Sequence, residues 1–399
     1  MIWLLIIDVA ISDSIPSIGG DPDENRSFME IVNAHGYPCE NHFVTTVDGY
    51  ILQVFRIRNG RSNASPTTPK QPVLLQHGLL DSSITWIINE PSESLAYILA
   101  DAGYDVWLGN NRGNTYSTNH TSLPITSPEF WRFSFDEMGW FDMPATINYI
   151  REFTGFATLP YVGHSEGTIQ AFIGYTVNSS LAEWAPLFIG VGPVGNVTHI
   201  TNNGLAELAK LHIDTLLEVF GENRFLPTPE KLREIFIDFC VECDECCATV
   251  VEFLCGKHRG AFNDSRMPVV AGHEPAGTSV QNIRHWAQDV RNKQLQMFDH
   301  GPVGNMEHYH QLYPPIYNVS NFPTNVKIAL FSGGLDELAD PVDVQDLVNV
   351  LPAESLIYWQ KIADYAHLDY VWALDAHITM YPTVVSLIQK YFPNSQHNE

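Results

Sequence analysis

The fold of this chain is decided by the stretch Leu159-Pro-Tyr-Val-Gly163-His164-Ser165-Glu166-Gly167-Thr168. An apolar strand leads into a Gly-X-Ser-X-Gly pentapeptide, and a run with helical character follows over residues 169–175. Because glycine has no Cβ, Gly163 and Gly167 permit a sharp strand-to-helix turn that exposes the Ser165 hydroxyl. The helix N-terminus adds N–H groups and a partial positive charge where an oxyanion can bind. The pentapeptide also fits an ordinary turn, so its partners decide between the two interpretations.

A candidate acid follows a late apolar strand. In the α/β-hydrolase arrangement the acid and the histidine come after the serine in the chain. Residues 326–331 form a short apolar stretch, and Asp336 lies in the first turn after it, where its carboxylate can cross the carboxyl edge of a sheet. Asp340 and Asp343 are alternatives. Asp340 precedes Pro341, however, and is better interpreted as a turn or helix-cap residue.

A candidate base follows the next predicted strand, at residues 355–359. The loop after that strand contains His367, and Asp369 is interpreted as the N-cap of a short helix. With sixteen histidines in the chain, a single histidine carries little weight, but His367 lies in the expected loop. We therefore predict a catalytic triad of Ser165, Asp336 and His367, in which the histidine is the base and the aspartate orients it.

A second loop near the serine is predicted after an early strand. The stretch Pro72-Val-Leu-Leu-Gln-His-Gly-Leu-Leu80 reads as a buried strand that ends in His-Gly. In this architecture the loop after such a strand supplies the second oxyanion donor. We predict that the main-chain N–H groups of Leu79 and Glu166 are the two donors. His77 is predicted to support the loop structurally, and Arg112, in a glycine-rich loop, to brace the site by ion pairing.

The composition excludes several classes of function. A length of 399 residues, 45% of them hydrophobic, fits a hydrolase core plus an inserted subdomain better than one compact core. With 21 Lys and Arg against 46 Asp and Glu, the net charge of −25 makes a nucleic acid a poor partner. No stretch reaches about 18 uninterrupted apolar residues, so an integral membrane span is not expected.

The patterning divides the chain into a core that is interrupted once. The first part of the core is predicted over residues 12–194. From Val73 to about Val194 apolar strands alternate with helical stretches, which is typical of a mostly parallel α/β sheet with flanking helices. In residues 195–320 the strand pattern gives way to amphipathic helices, which predicts an inserted helical cap. The core resumes over residues 321–399. A hydrophobic cap above a serine nucleophile suits a substrate with long acyl chains at a lipid–water interface.

Two features indicate the secretory pathway. The apolar run at the start is interrupted by Asp8 and lacks a basic region before it, so residues 1–11 are interpreted as a truncated signal peptide. Seven Asn-X-Ser/Thr sequons are candidate glycosylation sites, and they begin at Asn25, Asn63, Asn119, Asn178, Asn196, Asn263 and Asn318.

The cysteines are clustered. Five of the six lie between Cys240 and Cys255, in a C-x2-C-x2-C-C arrangement with one more downstream, and Cys39 has no obvious partner. The cluster resembles a soft-metal site, but no second ligand pair lies at zinc-finger spacing, so no metal is predicted. In an oxidising compartment one or two disulfides that pin the cap are the favoured interpretation.

These motifs, and long runs between them, resemble the acid lipase family of gastric and lysosomal lipases. The resemblance covers nearly the whole chain and is highly specific in combination. It is carried by His35-Gly-Tyr-Pro-Cys-Glu40, Thr46-Val-Asp-Gly-Tyr50, Gln76-His-Gly-Leu-Leu80, Gly109-Asn-Asn-Arg-Gly-Asn-Thr115, Phe133-Ser-Phe-Asp-Glu-Met138, Asp142-Met-Pro-Ala-Thr-Ile147, Pro275-Ala-Gly-Thr-Ser-Val-Gln281, Pro314-Pro-Ile-Tyr317, Gly333-Gly-Leu-Asp-Glu-Leu-Ala-Asp340 and His367-Leu-Asp-Tyr-Val-Trp372.

The resemblance implies the same triad of Ser165, Asp336 and His367 that the residues themselves indicate. It also implies one local disulfide in the cap, for which Cys240–Cys247 is the expected pair, and a lid near residues 260–279. One position departs from the pattern, because the family usually has Gln where this chain has Glu166. An ionised Glu166 would oppose negative charge that develops on the oxyanion, which favours activity at acid pH, where the side chain is neutral.

The resemblance thus implies a secreted or lysosomal serine lipase that hydrolyses carboxylic esters of long-chain fatty acids through an acyl-enzyme, without a cofactor. Triacylglycerol and cholesteryl ester remain alternative substrates, and the gut lumen and the lysosome remain alternative locations. The oligomeric state stays open. Two other functions compete with this one: a non-enzymatic lipid carrier on a lipase fold, and a hydrolase of peptides or small acyl esters.

Overall fold

The computed structural model describes residues 21–61, 68–195, 197–200, 223–226, 237, 241, 258 and 260–393. Several predicted features lie outside the described residues: the signal segment 1–11, the sequons at Asn63 and Asn196, and the five clustered cysteines, including the expected pair Cys240–Cys247. Cys39 is described, and it is a free thiol whose pKa is raised to about 12, chiefly by burial.

A mixed sheet forms the centre of the molecule. Its members are β1 (Glu40–Thr45), β2 (Tyr50–Ile57), β3 (Pro72–Gln76), β4 (Asp105–Leu108), β5 (Asn119–His120), β6 (Tyr161–His164), β7 (Leu187–Val191), β10 (Lys327–Gly333) and β11 (Leu356–Ile362). Two further strands, β8 (Arg224–Phe225) and β9 (Thr278–Ser279), pair with each other in a separate small sheet. The spatial order is β1-β2-β4-β3-β6-β7-β10-β11, with β5 paired to β2. Strand β2 pairs antiparallel with β1, β4 and β5. The neighbouring strands in the order β4-β3-β6-β7-β10-β11 all pair in parallel.

Helices cover both faces of this sheet. They are α1 (Phe28–Ala34), α2 (Leu95–Asp101), α3 (Phe135–Glu137), α4 (Met143–Thr154), α5 (Glu166–Val177), α6 (Ser180–Trp184), α7 (Met267–His273), α8 (Val280–Asn292), α9 (Gly301–Tyr309), α10 (Pro341–Val350), α11 (Asp369–Trp372), α12 (Ala376–Thr379) and α13 (Tyr381–Tyr391). Local signals set several ends. Ser27 and Glu30 form a capping box at α1. The predicted cap role of Asp340 is confirmed, because its carboxylate accepts from the Val342 N–H at 2.8 Å.

Alternate residues of the central strands enter two separate apolar cores. Val73 and Leu75 of β3 pack into one core, whereas Leu74 between them packs into the other. This happens because successive side chains of a strand point to opposite faces of the sheet. Every residue of β3, β6 and β7 is buried, as expected for parallel strands covered on both faces. The sheet therefore has the doubly covered form that the α/β pattern predicts.

The described part of the predicted cap region, residues 195–320, contains helices α7, α8 and α9 and the antiparallel pair of β8 with β9. The core sheet resumes at β10. The boundaries at 195 and 320 stay a prediction, since much of this region lies outside the described residues. Among the described residues, no helix combines the length and the apolar character needed to cross a bilayer.

Parallel pairing brings the candidate site together. Ser165 follows β6, Asp336 follows β10, and His367 lies in the loop after β11. Since β6, β7, β10 and β11 run parallel, their carboxyl ends lie at one edge of the sheet. Chain order and strand direction therefore deliver all three side chains to the same edge, where ligands bind in open α/β sheets.

Candidate active site

Ser165 occupies the sharp turn between β6 and α5. Its backbone has φ 53° and ψ −115°, a left-handed φ that side chains rarely adopt. The Ser165 N–H donates to the carbonyl oxygen of Val191 on the neighbouring strand at 3.1 Å, and its own carbonyl oxygen accepts from the Thr168 N–H at 2.8 Å. The turn is thus fixed by hydrogen bonds on both sides, and it holds the hydroxyl at the carboxyl edge of the sheet.

The two glycines of the pentapeptide are required by close backbone approach. A Cβ on Gly163 would lie 2.7 Å from the carbonyl oxygen of Gly167. A Cβ on Gly167 would lie 2.8 Å from the carbonyl oxygen of Gln76 and 2.9 Å from that of His77. These distances are shorter than any Cβ contact tolerates, so the glycines allow α5 to pack directly on β6 and on the end of β3.

A continuous hydrogen-bonded chain joins the serine, the histidine and the aspartate. The Ser165 hydroxyl donates to His367 Nε2 at 2.7 Å. His367 Nδ1 lies 3.0 Å from each carboxylate oxygen of Asp336, so its N–H donates to that carboxylate. All three side chains are buried. The imidazole is therefore oriented with its free nitrogen toward the serine, as a general base requires.

The Asp336 carboxylate is surrounded by donors. Oδ1 accepts from the main-chain N–H groups of Leu338 at 3.0 Å and Ala339 at 2.8 Å. Oδ2 accepts from the Tyr370 hydroxyl at 2.9 Å. Together with the His367 N–H, these donors satisfy both oxygens of the buried Asp336 carboxylate.

The loop that carries His367 is held from two sides. His164 Nε2–H donates to the His367 carbonyl oxygen at 3.0 Å. The Asp369 carboxylate accepts from the Ala366 N–H at 2.5 Å and from the His258 ring at 2.7 Å. The predicted N-cap role of Asp369 is wrong: α11 begins at Asp369 itself, with Leu368 as its N-cap, because the carboxylate turns back to close the loop.

The loop after β3 lies against the serine. A Cβ on Gly78 would lie 3.0 Å from Ser165 Cβ and 3.5 Å from its Oγ, and Leu79 is the next residue. The predicted supporting role of His77 is confirmed. Its Nδ1–H donates to the Gly78 carbonyl oxygen at 2.8 Å, and its Nε2 accepts from the Asn111 N–H at 3.0 Å. Because burial lowers the pKa of His77 to about 4, the ring stays neutral and joins two loops.

Arg112 braces the same region, as predicted. Its guanidinium is buried, binds Asp48 and Asp142 at 2.6 Å each, and lies over the Tyr50 ring. These contacts join the loop of Arg112 to Asp48 and Asp142, so its role is structural.

Glu166, the residue after the serine, is buried and turned toward α8. Its Oε1 accepts from the Asn282 amide and from the Trp286 indole N–H, both at 2.7 Å. Burial raises the pKa of Glu166 to about 7, and the two hydrogen bonds act in the opposite direction. Glu166 is therefore neutral in acid and charged above pH 7. Neither Asn282 nor Trp286 is identifiable as a partner from the sequence.

One group in the described part of the chain has metal-ligand geometry. It consists of His199, Asp343 and Asp346, of which only Asp343 is buried. The His199 ring nitrogen and main-chain N–H both bind Asp343 at 2.8 Å, so the carboxylate is already satisfied. None of the three residues belongs to the candidate triad, and we assign no metal to the group.

Comparison with known proteins identifies the family. Models for a partial alpha/beta-hydrolase lipase region and for the alpha/beta hydrolase fold match residues 28–90 and 71–175. Lysosomal acid lipase/cholesteryl ester hydrolase of Homo sapiens is 42% identical over 374 residues, which cover 93% of this chain and 92% of that protein. Gastric triacylglycerol lipase of Bos taurus is 42% identical over 397 residues, covering 97% and 99%. The chain belongs to the lysosomal and gastric acid lipase family.

A solved structure shows the same fold at lower identity. A monoglyceride lipase from Saccharomyces cerevisiae superposes on this acid lipase with a TM-score of 0.56 at 13% identity, covering 89% of this chain and 95% of that one. The predicted α/β-hydrolase fold and the predicted family are thus confirmed.

Two residues beside the candidate triad were not predicted from the sequence. His164 directly precedes Ser165, and Tyr370 lies three residues after His367. Their closeness in sequence to the candidate residues was the feature that could have indicated a role at the site. Of the five described sequons, Asn25, Asn119 and Asn318 are exposed, whereas Asn178 and Asn263 are half-buried.

Proposed function

We propose that this acid lipase hydrolyses long-chain fatty acid esters with Ser165 as nucleophile, His367 as base and Asp336 as the acid that orients it. As a member of its family the chain is a carboxylic ester hydrolase. The observation that carries the residue assignment is the unbroken hydrogen-bonded chain from Ser165 Oγ through the imidazole to the carboxylate, at 2.7 and 3.0 Å.

Acylation begins when His367 Nε2 takes the Ser165 proton as Oγ attacks the ester carbonyl carbon. The carbonyl oxygen becomes an oxyanion, which accepts from the N–H groups of Leu79 and Glu166. Asp336 stabilises the imidazolium without taking its proton. The bond to the alcohol oxygen then breaks, the imidazolium protonates that oxygen, and the acyl group stays on Ser165.

Deacylation repeats the sequence with water. His367 removes a proton from water as its oxygen attacks the acyl carbonyl carbon, and the same N–H groups hold the second oxyanion. The bond to Ser165 Oγ breaks, Oγ regains its proton from the imidazolium, and the fatty acid leaves. Protein groups and water account for every step, so we propose no metal or organic cofactor.

An exposed apolar stretch supports action at a lipid–water interface. In the described residues after α8, large apolar side chains are exposed at Val303, Met306, Leu312, Tyr313 and Ile316. The buried Asn305 side chain fixes the stretch by donating to Asp299 Oδ1 at 2.7 Å and to the Leu312 carbonyl oxygen at 3.1 Å. Moving this apolar surface from water into lipid is favourable by roughly 25 cal/mol per Å² of area buried, which favours adsorption to a lipid surface.

The proposed location is the secretory pathway, ending outside the cell in the gut lumen or in the lysosome. Three exposed sequons support this location, and the named relatives are lysosomal and gastric. The proposed substrates, triacylglycerol and cholesteryl ester, follow the names of those relatives.

A chain-length series tests the function. We expect kcat/KM for emulsified glycerol and cholesteryl esters to rise from C4 to C16 acyl chains, with higher rates at pH 5 than at pH 8. Monomeric short-chain esters serve as the comparison. A preference for dissolved C2–C4 esters at every pH would instead indicate a small esterase. Failure of Ser165 to react with an alkyl phosphonate would indicate a lipid carrier.

Glu166→Gln is expected to extend activity to higher pH. Above pH 7 the wild-type carboxylate repels the oxyanion, by an amount on the order of 1–2 kcal/mol, or roughly tenfold in rate. Glutamine keeps Oε1 as acceptor for Asn282 and Trp286 but never ionises. The variant should match wild type at pH 5 and exceed it about tenfold at pH 8, measured as kcat for a soluble ester.

The stability of the Glu166→Gln variant provides the second readout. Because folding raises the pKa of Glu166, the wild-type unfolding free energy should fall as pH rises from about 4.5 through about 7, and the variant should lack that fall. Glu183→Gln, at an exposed position on α6, is the matched control and should change neither profile. Identical pH–rate curves for wild type and Glu166→Gln would show that ionisation of Glu166 does not cause the fall in activity at high pH.

A further inference from the structure

Two buried carboxyl groups lie directly behind the loop that carries Leu79. Asp81 belongs to that loop, two residues after Leu79, and Glu274 follows α7, about 190 residues later in the chain. Each residue is only 8% exposed, and both carboxyl groups bind Ser82: Asp81 through the Ser82 N–H and Glu274 through the Ser82 hydroxyl. Neither takes part in the proposed triad or in the hydrogen bonds of Glu166.

The segment around Glu274 is hydrogen-bonded at several points to the loop that carries Leu79. The Ser82 hydroxyl donates to Glu274 Oε1 at 2.9 Å. The Ala276 N–H donates to the Leu80 carbonyl oxygen at 2.7 Å and to Glu274 Oε2 at 3.0 Å. The contacts therefore fix the residues on the C-terminal side of Leu79, while His77 and Gly78 fix its N-terminal side.

The contacts of Asp81 leave a place for one proton. Its Oδ1 accepts from the Ser82 N–H at 2.7 Å. Its Oδ2 is buried, with no donor in bonding geometry among the described residues. Two adjacent buried carboxylates repel each other, and a proton held between them both removes a charge and satisfies this oxygen. Burial raises the pKa of Asp81 to about 7, and burial and the Asp81 charge raise that of Glu274 well above its usual value.

In the part of the chain that the structure describes, no neighbouring cation replaces this proton. His77, at the start of the loop, is held neutral by burial. His273 precedes Glu274, and its ring binds the Asp23 carbonyl oxygen at 2.8 Å. Arg266, at the start of α7, binds Asp21 and Asp23, and Arg112 binds Asp48 and Asp142. The pair thus depends on its own proton.

We propose that Asp81 and Glu274 share one proton and that this pair positions the loop so that the Leu79 N–H faces the oxyanion. Both are positioning residues, and the inference rests on the proposed function. Loss of the proton leaves two charges in a buried site and pushes the loop away from Ser165. Since the oxyanion forms only after attack, the loss acts on kcat more than on KM.

The test compares Glu274→Gln with Glu274→Ala, each in a Glu166→Gln background so that Glu166 does not titrate. Glutamine keeps an acceptor for the Ala276 N–H, and its NH₂ group supplies a permanent donor on the side of Ser82 and Asp81, where the Ser82 hydroxyl can turn to accept. We expect Glu274→Gln to keep kcat within threefold at pH 5. The pH at which kcat falls to half its maximum on the alkaline side should rise by at least one unit. Glu274→Ala should lower kcat at least tenfold at pH 5, with KM for a soluble ester changed less than threefold.

An alkaline limb unchanged by Glu274→Gln would overturn the proposal, as would a Glu274→Ala effect confined to KM or to stability. Asp81→Asn provides an independent variant with the same expected shift, and it decides the matter if Glu274→Ala does not fold. The pH dependence of the unfolding free energy needs no catalysis. It should flatten between pH 5 and 8 in Glu274→Gln even if no ester proves to be a substrate, which separates the failure of this inference from failure of the proposed function.

Discussion

Replacing Ser165 with alanine is expected to lower kcat for ester hydrolysis roughly 10⁴- to 10⁶-fold, because His367 then has no bonded hydroxyl to deprotonate. The fold should survive. Alanine also carries a Cβ, so it bears the same strain at φ 53° that serine bears, and no main-chain hydrogen bond of the turn is lost. Fatty acid release from a chromogenic ester, together with thermal unfolding, measures both quantities.

Ser179→Ala is the matched control for this prediction. Ser179 precedes α6, is exposed, and makes no side-chain cap bond there, so its loss should leave kcat unchanged. Retention of more than a few per cent of wild-type turnover by a purified Ser165→Ala protein would mean that another group is the nucleophile.

Replacing Asp336 with asparagine is expected to lower kcat about 10³- to 10⁴-fold. The N–H groups of Leu338 and Ala339 point at Oδ1, so the asparagine carbonyl oxygen takes that position. Its NH₂ group then replaces Oδ2 and faces the Tyr370 hydroxyl and His367 Nδ1. Facing a donor, Nδ1 becomes an acceptor, the ring proton moves to Nε2, and the ring can no longer accept from Ser165.

The sequence alternatives to Asp336 provide the controls. Asp340→Asn should keep full activity and stability, because asparagine caps a helix about as well as aspartate. Asp343→Asn should also keep kcat, since its carboxylate binds His199 rather than the triad. If Asp340→Asn or Asp343→Asn lowered kcat more than Asp336→Asn does, the aspartate replaced in that variant, and not Asp336, would be the acid of the triad. An NMR titration of the His367 ring would report the change of tautomer directly.

The meeting of Ser165, Asp336 and His367, the proposed triad, was predictable because it follows from chain order and strand direction. Once β6, β10 and β11 are recognised as parallel strands, the residues after them must meet at one edge of the sheet. The glycines of the turn and the cap role of Asp340 were equally accessible, since each depends on backbone geometry within a few residues.

Side-chain direction was not predictable, because distant packing decides it. The sequence predicts that Glu166 follows the nucleophile, but its contacts with Asn282 and Trp286 span 116 and 120 residues. The bond between Ser82 and Glu274 spans 192. Asp369 failed as a predicted N-cap for the same reason, since His258 and the Ala366 N–H compete for its carboxylate. The boundaries of the cap and the disulfide pair Cys240–Cys247 stay predictions, because much of the cap region and both cysteines lie outside the described residues.

The 202-residue separation between Ser165 and His367 has a consequence for biosynthesis. Domains form from the N-terminal side as the ribosome proceeds, and contacts that are far apart in the chain form late. The turn that carries Ser165 is complete long before β10 and β11 are made, yet the proposed base is absent until the chain has passed His367. Under the proposed assignment the nascent polypeptide therefore carries an unactivated serine, and it acquires hydrolytic activity only when the last parallel strands join the sheet.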